Sequence, residues 1–171
     1  MKVIQDNTLP DVKLIMPYTV EDHRGCFTET YHHENYTNEL GITFVQDDYS
    51  YSRKHTLRGL HGDYRTWKLV QSLWGEMYLV VMDMREDSPT YKQYSTFDIT
   101  FNNKVQVLVP PGFINGHLCL SERCIFSYKQ SAYYTGVENQ LRFRWNDPSL
   151  NIWWPIQEPI LSRLDETVPL I

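Results

Sequence analysis

Trp67-Lys68-Leu69-Val70-Gln71-Ser72-Leu73, then Trp74-Gly75-Glu76, then Met77-Tyr78-Leu79-Val80-Val81-Met82-Asp83-Met84 decide the fold class. Two apolar runs of strand length, rich in Val, Leu and aromatic residues, flank a three-residue break centred on glycine. Such a pair reads as two β-strands joined by a turn, and the local pattern predicts a hairpin.

The same grammar repeats outward in both directions. Apolar runs occur at 12–17, 26–31 and 42–46 on the amino-terminal side. On the other side they occur at 94–100, 105–109, 118–120, 124–130 and 140–145. Asn102-Asn103, Pro110-Pro111-Gly112 and Asn146-Asp147-Pro148 supply turn chemistry between them. Many short strands at this spacing predict a sandwich or barrel. Helix is scarce: 33–40 reads as one short helix stopped by Gly41, and Ser162 with Asp165 opens another near the carboxyl end. With no internal repeat, linker or low-complexity tract, residues 1–171 are expected to form one all-β, jelly-roll-like domain with short peripheral helices.

Composition narrows the function classes. A chain of 171 residues with 42% hydrophobic residues can bury a substantial core. Its 12 Tyr, 7 Phe and 5 Trp suit strands and the walls of ligand pockets. A net charge of −5 gives no reason to expect nucleic acid or an anionic membrane as a partner. No apolar stretch approaches the roughly 20 residues that span a bilayer, and the amino-terminal segment is too polar for a secretory signal. Cys26, Cys119 and Cys124 are an odd set without CxxC spacing, which predicts reduced thiols and a cytoplasmic location.

Chemistry concentrates in Leu57-Arg58-Gly59-Leu60-His61-Gly62-Asp63, followed by Lys68. Strict strand alternation sends Arg58 and His61 to opposite faces; a bulge at Gly59 would turn both to one side. His61 is suited to taking a proton near neutral pH, Arg58 to holding phosphate oxygens, and Lys68 to stabilising an oxyanion. Spacing alone favours the plainer reading of a surface Arg and Lys with a hydrogen-bonded core histidine. Alternation along 124–130 groups Phe126, Tyr128 and Gln130 on one face, making Tyr128 either a proton donor or a structural tyrosine. Asp165 fits both a helix-start carboxylate and a residue that orients a histidine.

A metal site is not expected. The usual jelly-roll pattern resembles His-x-His with a Glu and a distant His, whereas His61 is followed by Gly62-Asp63, and His32, His33 and His55 fall in polar, loop-like sequence. GxGxxG, GxxxxGK[ST] and GxSxG are absent, leaving nucleotide-binding helices and serine hydrolysis without support.

Taken in order, several segments resemble the dTDP-4-dehydrorhamnose 3,5-epimerase family. They are residues 22–29 (DHRGCFTE), 44–47 (FVQD), 57–61 (LRGLH), 68–70 (KLV), Asp83-Met84-Arg85 with Ser88-Pro89-Thr90, and 109–113 (VPPGF). Tyr128-Lys129, 145–148 (WNDP) and Leu161-Ser162 with Asp165 complete the set. The resemblance spans roughly Asp22 to Asp165. It implies a cupin jelly roll without metal or cofactor, a homodimer, and a nucleotide-diphosphate sugar as substrate. It further implies His61 as general base with Asp165 as its partner, Tyr128 as acid from the opposite face, and Lys68 beside the developing enolate oxygen. Arg24, Glu29, Gln46 and Arg58 match positions contacting nucleotide and phosphate, Phe27 and Asp48 are expected at the substrate beside them, and Tyr134 matches a second tyrosine near the sugar.

This chain also departs from the family pattern. Where members often read Gly-Phe-Ala-His-Gly-Phe, it has Gly112-Phe113-Ile114-Asn115-Gly116-His117, so Asn115 and His117 are expected at the substrate. Asp48 stands where Asn is usual, Leu164 where Lys is common, and the stretch from His61 to Lys68 is short. The pattern is similar to a subgroup of O-antigen and capsule deoxysugar or heptose pathways. The expected reaction is epimerisation at C3, C5 or both of a nucleotide-linked 4-keto-6-deoxy sugar. A cupin 3,4-ketoisomerase and a non-catalytic sugar-nucleotide binding module are the alternatives.

Overall fold

In the computed structural model, which describes residues 1–170, the two runs flanking Gly75 form strands that do not pair with each other. The hairpin expectation is therefore corrected. In chain order the strands are β1 Lys2–Gln5, β2 Lys13–Met16, β3 Thr19–Asp22, β4 Gly25–Thr28, β5 Gln46–Arg53, β6 Leu57–Gly62 and β7 Lys68–Trp74. They continue as β8 Glu76–Asp83, β9 Tyr94–Thr100, β10 Gln106–Val109, β11 Phe113–Cys119, β12 Arg123–Gln130 and β13 Leu141–Arg142. Strand β7 lies in a six-stranded sheet of order β1-β2-β10-β7-β12-β5, and β8 in a five-stranded sheet of order β13-β6-β11-β8-β9. All of these neighbours run antiparallel. At Gly75, φ is 78° and an added Cβ would lie 2.2 Å from the Arg123 carbonyl oxygen, so this tight crossing between sheets needs glycine.

The crossing explains why both runs are largely apolar. Each strand is buried on both faces, and side chains alternate between two hydrophobic clusters. From β8, Met77, Leu79 and Val81 enter the core between the sheets, where they join Val70, Val107 and Phe126. Tyr78, Val80 and Met82 point to the outer side, where Leu150 and Trp154 of the carboxyl-terminal segment cover them. On the other sheet, Leu69 and Leu108 face outward beneath Tyr36 of helix α1 (His33–Leu40). Each fully buried Leu or Val of this kind contributes about 1.5–3 kcal/mol relative to exposure. The architecture is the expected all-β jelly roll.

Both short helices fall where expected. Helix α1 ends at Gly41, whose N–H donates to the Thr37 carbonyl at 2.8 Å. Helix α2 (Arg163–Glu166) opens on Ser162, whose side chain accepts from the Asp165 N–H. Residues 42–46 are not the expected strand. Ile42 and Phe44 pack as single anchors beside Tyr36, and the strand starts at Gln46 and runs through the polar sequence QDDYSYSR. Strand β5 is an edge strand with Tyr49 and Tyr51 exposed, so its sequence lacks an apolar run. The strand read at 118–120 begins instead at Phe113, and that read at 140–145 shrinks to Leu141–Arg142. Strands β3 and β4 form a separate two-stranded hairpin. Among the described residues, no helix is long and apolar enough to cross a membrane.

Candidate active site

Alternation and one irregularity build a cavity of about 420 Å³ between the sheets, within the usual range for a small-molecule site. On β12 the phase that sends Phe126 into the core also sends Tyr128 inward. On β7 the phase of Val70 brings Lys68 to the same space. Opposite them, β6 and β11 change register between Asn115 and His117: Asn115 pairs with His61, and His117 with Arg58. Two residues, Gly59 and Leu60, thus oppose Gly116 alone, which is a β-bulge. Arg58 and His61 accordingly both line the cavity. At Gly59, φ is 117° and an added Cβ would sit 2.6 Å from the Gly116 Cα, so only glycine fits.

His61 Nε2 lies 2.7 Å from Asp165 Oδ1. Ser162 Oγ donates to the other carboxylate oxygen at 2.9 Å, and Arg142 stands 3.7 Å from Oδ1. Burial pushes the Asp165 carboxyl up, but His61, Ser162 and Arg142 outweigh it and hold it below the usual carboxylate range. One carboxylate thus sits in the first turn of α2 and also faces His61. Burial lowers the Lys68 pKa, with Asp63 pulling partly the other way. For Tyr128, burial raises the phenol pKa, reinforced by Asp48 and Tyr134 and opposed by Arg58. A phenol so placed keeps its proton and can donate it.

Asn115, His117 and Tyr134 also line the cavity. The His117 ring stacks on Phe126 at 4.0 Å between centroids and 13° between planes. Arg58 is tethered to β5 through Ser52 Oγ at 3.0 Å and the Tyr51 carbonyl at 3.1 Å. Gln46 and Asp48 stand beside this space rather than in its lining. Asp48 Oδ2 accepts from the Gln46 and Gln130 amides at 2.7 and 2.8 Å, and Gln46 Oε1 accepts from the Tyr134 N–H at 2.9 Å. They brace the wall from which Tyr128 and Tyr134 project. Arg24, Phe27 and Glu29 do not join the cavity within one chain. Arg24 is exposed and paired with Asp22, Phe27 is 68% exposed, and Glu29 borders a surface recess with Tyr18 and Asn35.

Sequence reasoning missed Arg142, Gln140 and Ser50, all of which line the cavity. Arg142 carried the one usable signal, being a cation inside the run 140–145. Among the described residues, no group of three His, Cys, Asp or Glu side chains is arranged to hold a metal.

A jelly roll whose two sheets enclose one interior space lined by His61, Lys68 and Tyr128 has the architecture of a cupin. The chain belongs to the dTDP-4-dehydrorhamnose 3,5-epimerase family, whose family model matches residues 6–171. It is 37% identical over 177 residues to the dTDP-4-dehydrorhamnose 3,5-epimerase of Salmonella typhimurium, covering 100% of this chain and 96% of that one. The crystal structure of the Bacillus anthracis dTDP-4-dehydrorhamnose 3,5-epimerase with TDP and PPi bound is 41% identical, with a TM-score of 0.91 and 99% of each chain covered. The dTDP-6-deoxy-D-glucose-3,5-epimerase of Legionella pneumophila, in complex with dTDP-4-keto-L-rhamnose, is 36% identical. Its TM-score is 0.91, with 99% of this chain and 92% of that chain covered.

Proposed function

We propose that this chain epimerises the carbons flanking the ketone, C3 and C5, of a nucleotide-linked 4-keto-6-deoxy sugar. One observation carries the reading: His61 enters the cavity from the five-stranded sheet, while Tyr128 and Lys68 enter from the six-stranded sheet. Inversion needs a base on one face of the ring and an acid on the other, because return of the proton to the same face regenerates the starting sugar. With Asp165 accepting from Nε2–H, the lone pair of His61 lies at Nδ1, ready to take the proton beside the ketone. Negative charge then moves to the carbonyl oxygen, where the Lys68 ammonium stabilises the enolate. Tyr128 delivers a proton to the opposite face, and His61 and Tyr128 recover their protonation from solvent. Asp165 positions His61 and stabilises the imidazolium. Arg58 holds the diphosphate.

Thymidine is the nucleotide proposed, on the strength of the relatives. The homodimer belongs to the same reading. Arg24, Phe27 and Glu29 lie on or next to the β3–β4 hairpin and outside the cavity lining of their own chain, so a nucleotide they contact would occupy a second copy's site. The enzyme would act in the cytoplasm, supplying deoxysugars for O-antigen or capsule. Incubation with dTDP-4-keto-6-deoxy-D-glucose in deuterated water tests the reading. Deuterium at C3 and C5 with inverted configuration is expected; no incorporation would defeat it. Carbonyl migration to C3 would indicate a ketoisomerase instead.

A further inference from the structure

Four buried side-chain polar atoms have no hydrogen-bond partner among the described residues: Ser50 Oγ, Asn115 Oδ1, His117 Nε2 and Arg144 Nε. The first three belong to residues that line the cavity. Native proteins leave few such atoms unsatisfied, so a cluster on the wall of a binding site marks where a ligand completes them. Asn115 and His117 are only 9% and 3% exposed and, two apart on β11, project to the same side. The stack on Phe126 fixes the His117 ring plane. Burial, with Arg58 and His61 nearby, pushes the His117 pKa down to about 3, so its ring is neutral and offers an N–H or a lone pair.

The complementary group both donates and accepts. A hydroxyl can donate to Asn115 Oδ1 or exchange a hydrogen bond with His117 Nε2; a methyl or C–H can do neither. Strand pairing says which hydroxyl. Asn115 pairs with His61, which takes a proton at C3 in the function proposed above, and His117 pairs with Arg58, which holds the diphosphate at C1. The ring carbon between C3 and C1 is C2. Resting on that function, we propose that Asn115 and His117 form a subsite for the sugar's 2-hydroxyl. This subsite makes the enzyme selective for 2-hydroxy over 2-deoxy nucleotide sugars.

The test compares kcat/KM for dTDP-4-keto-6-deoxy-D-glucose and dTDP-4-keto-2,6-dideoxy-D-glucose, followed by deuterium incorporation at C3 and C5. The wild type is expected to prefer the 2-hydroxy sugar by about 100-fold or more, since a site built to bind a hydroxyl strongly rejects an analogue lacking it. His117→Phe keeps an aromatic ring against Phe126 but removes Nε2, and should bring the ratio to within about threefold. Asn115→Leu reads the same ratio should His117→Phe fail to fold. Equal wild-type rates, or an unchanged ratio in the folded variants, overturn the subsite while exchange by wild type but not His61→Asn leaves the epimerase reading standing. No exchange with either sugar overturns both.

Discussion

His61 and Asp165, 104 positions apart in sequence, meet at 2.7 Å because the carboxyl-terminal segment runs back along β6. The Leu57 N–H donates to the Ile160 carbonyl at 3.0 Å, and the chain then turns into α2 to deliver the carboxylate. Asp165→Asn should retain the contact distance but lose the charge that stabilises the imidazolium. A fall in kcat of about 10- to 1000-fold with little change in KM is expected. Steady-state kinetics with the keto sugar would show it, and loss confined to KM would contradict a positioning role.

Tyr128→Phe should separate proton removal from inversion. His61 can still take the proton and return it to the same face, so solvent deuterium should enter without a change in configuration. Net epimer should form about 100-fold or more slowly. Proton NMR of the recovered sugar distinguishes the two, and inversion at the wild-type rate would remove Tyr128 from its role.

Lys68 ties activity to alkaline pH. Because burial lowers its pKa, the cation is lost, and with it enolate stabilisation, as pH rises through a value below that of an ordinary lysine. The alkaline limb of kcat/KM should therefore fall below pH 10.5, the ordinary lysine value. Lys68→Arg should move that limb out of range, even at a reduced rate, because guanidinium stays charged. Lys68→Met should cost about 100- to 1000-fold below that limb and progressively less above it, where wild type has lost the same charge. A limb that survives in the Arg variant would have to come from another group.

Acid stability should depend on Asp83, which is fully buried and accepts from Arg85, Ser88 and Thr90. Burial raises its pKa, but these donors prevail and hold it at about 2, against an ordinary 3.8. A depressed carboxylate stabilises the fold fully above its unfolded pKa and loses that contribution as pH falls through the folded one, here from about 4 down to 2. Allowing for screening at the one-third-exposed Arg85 side chain, about 1–2 kcal/mol should disappear across this window. Urea melts of wild type and Asp83→Asn should differ at pH 6 and converge towards pH 2.

The sequence revealed the fold where burial was two-sided and the site where chemistry was dense. The apolar runs of β7, β8 and β10 announce themselves, and α1 is framed by its own glycine. Which strands pair was hidden, because a glycine turn looks the same whether it closes a hairpin or crosses between sheets. Strand β5 was missed because an edge strand with one solvated face has a polar sequence. His61, Lys68 and Tyr128 were legible as residue types, and the register contains the bulge that Gly59 permits. Ser50 and Gln140 were not legible, because they reach the cavity only through pairings between strands distant in sequence.

The two-against-one step at Gly59 gives β6 a dual allegiance. A regular strand would offer this interior space either a permanent cation or a titratable ring from neighbouring positions, never both. By slipping the phase once, a single stretch of backbone turns both side chains to the same space, so that in the proposed reaction one meets the charged tail of the ligand and the other its reacting carbon. The spacing between the two is then a property of the main chain, set when the sheet forms, rather than something flexible side chains must find on each encounter.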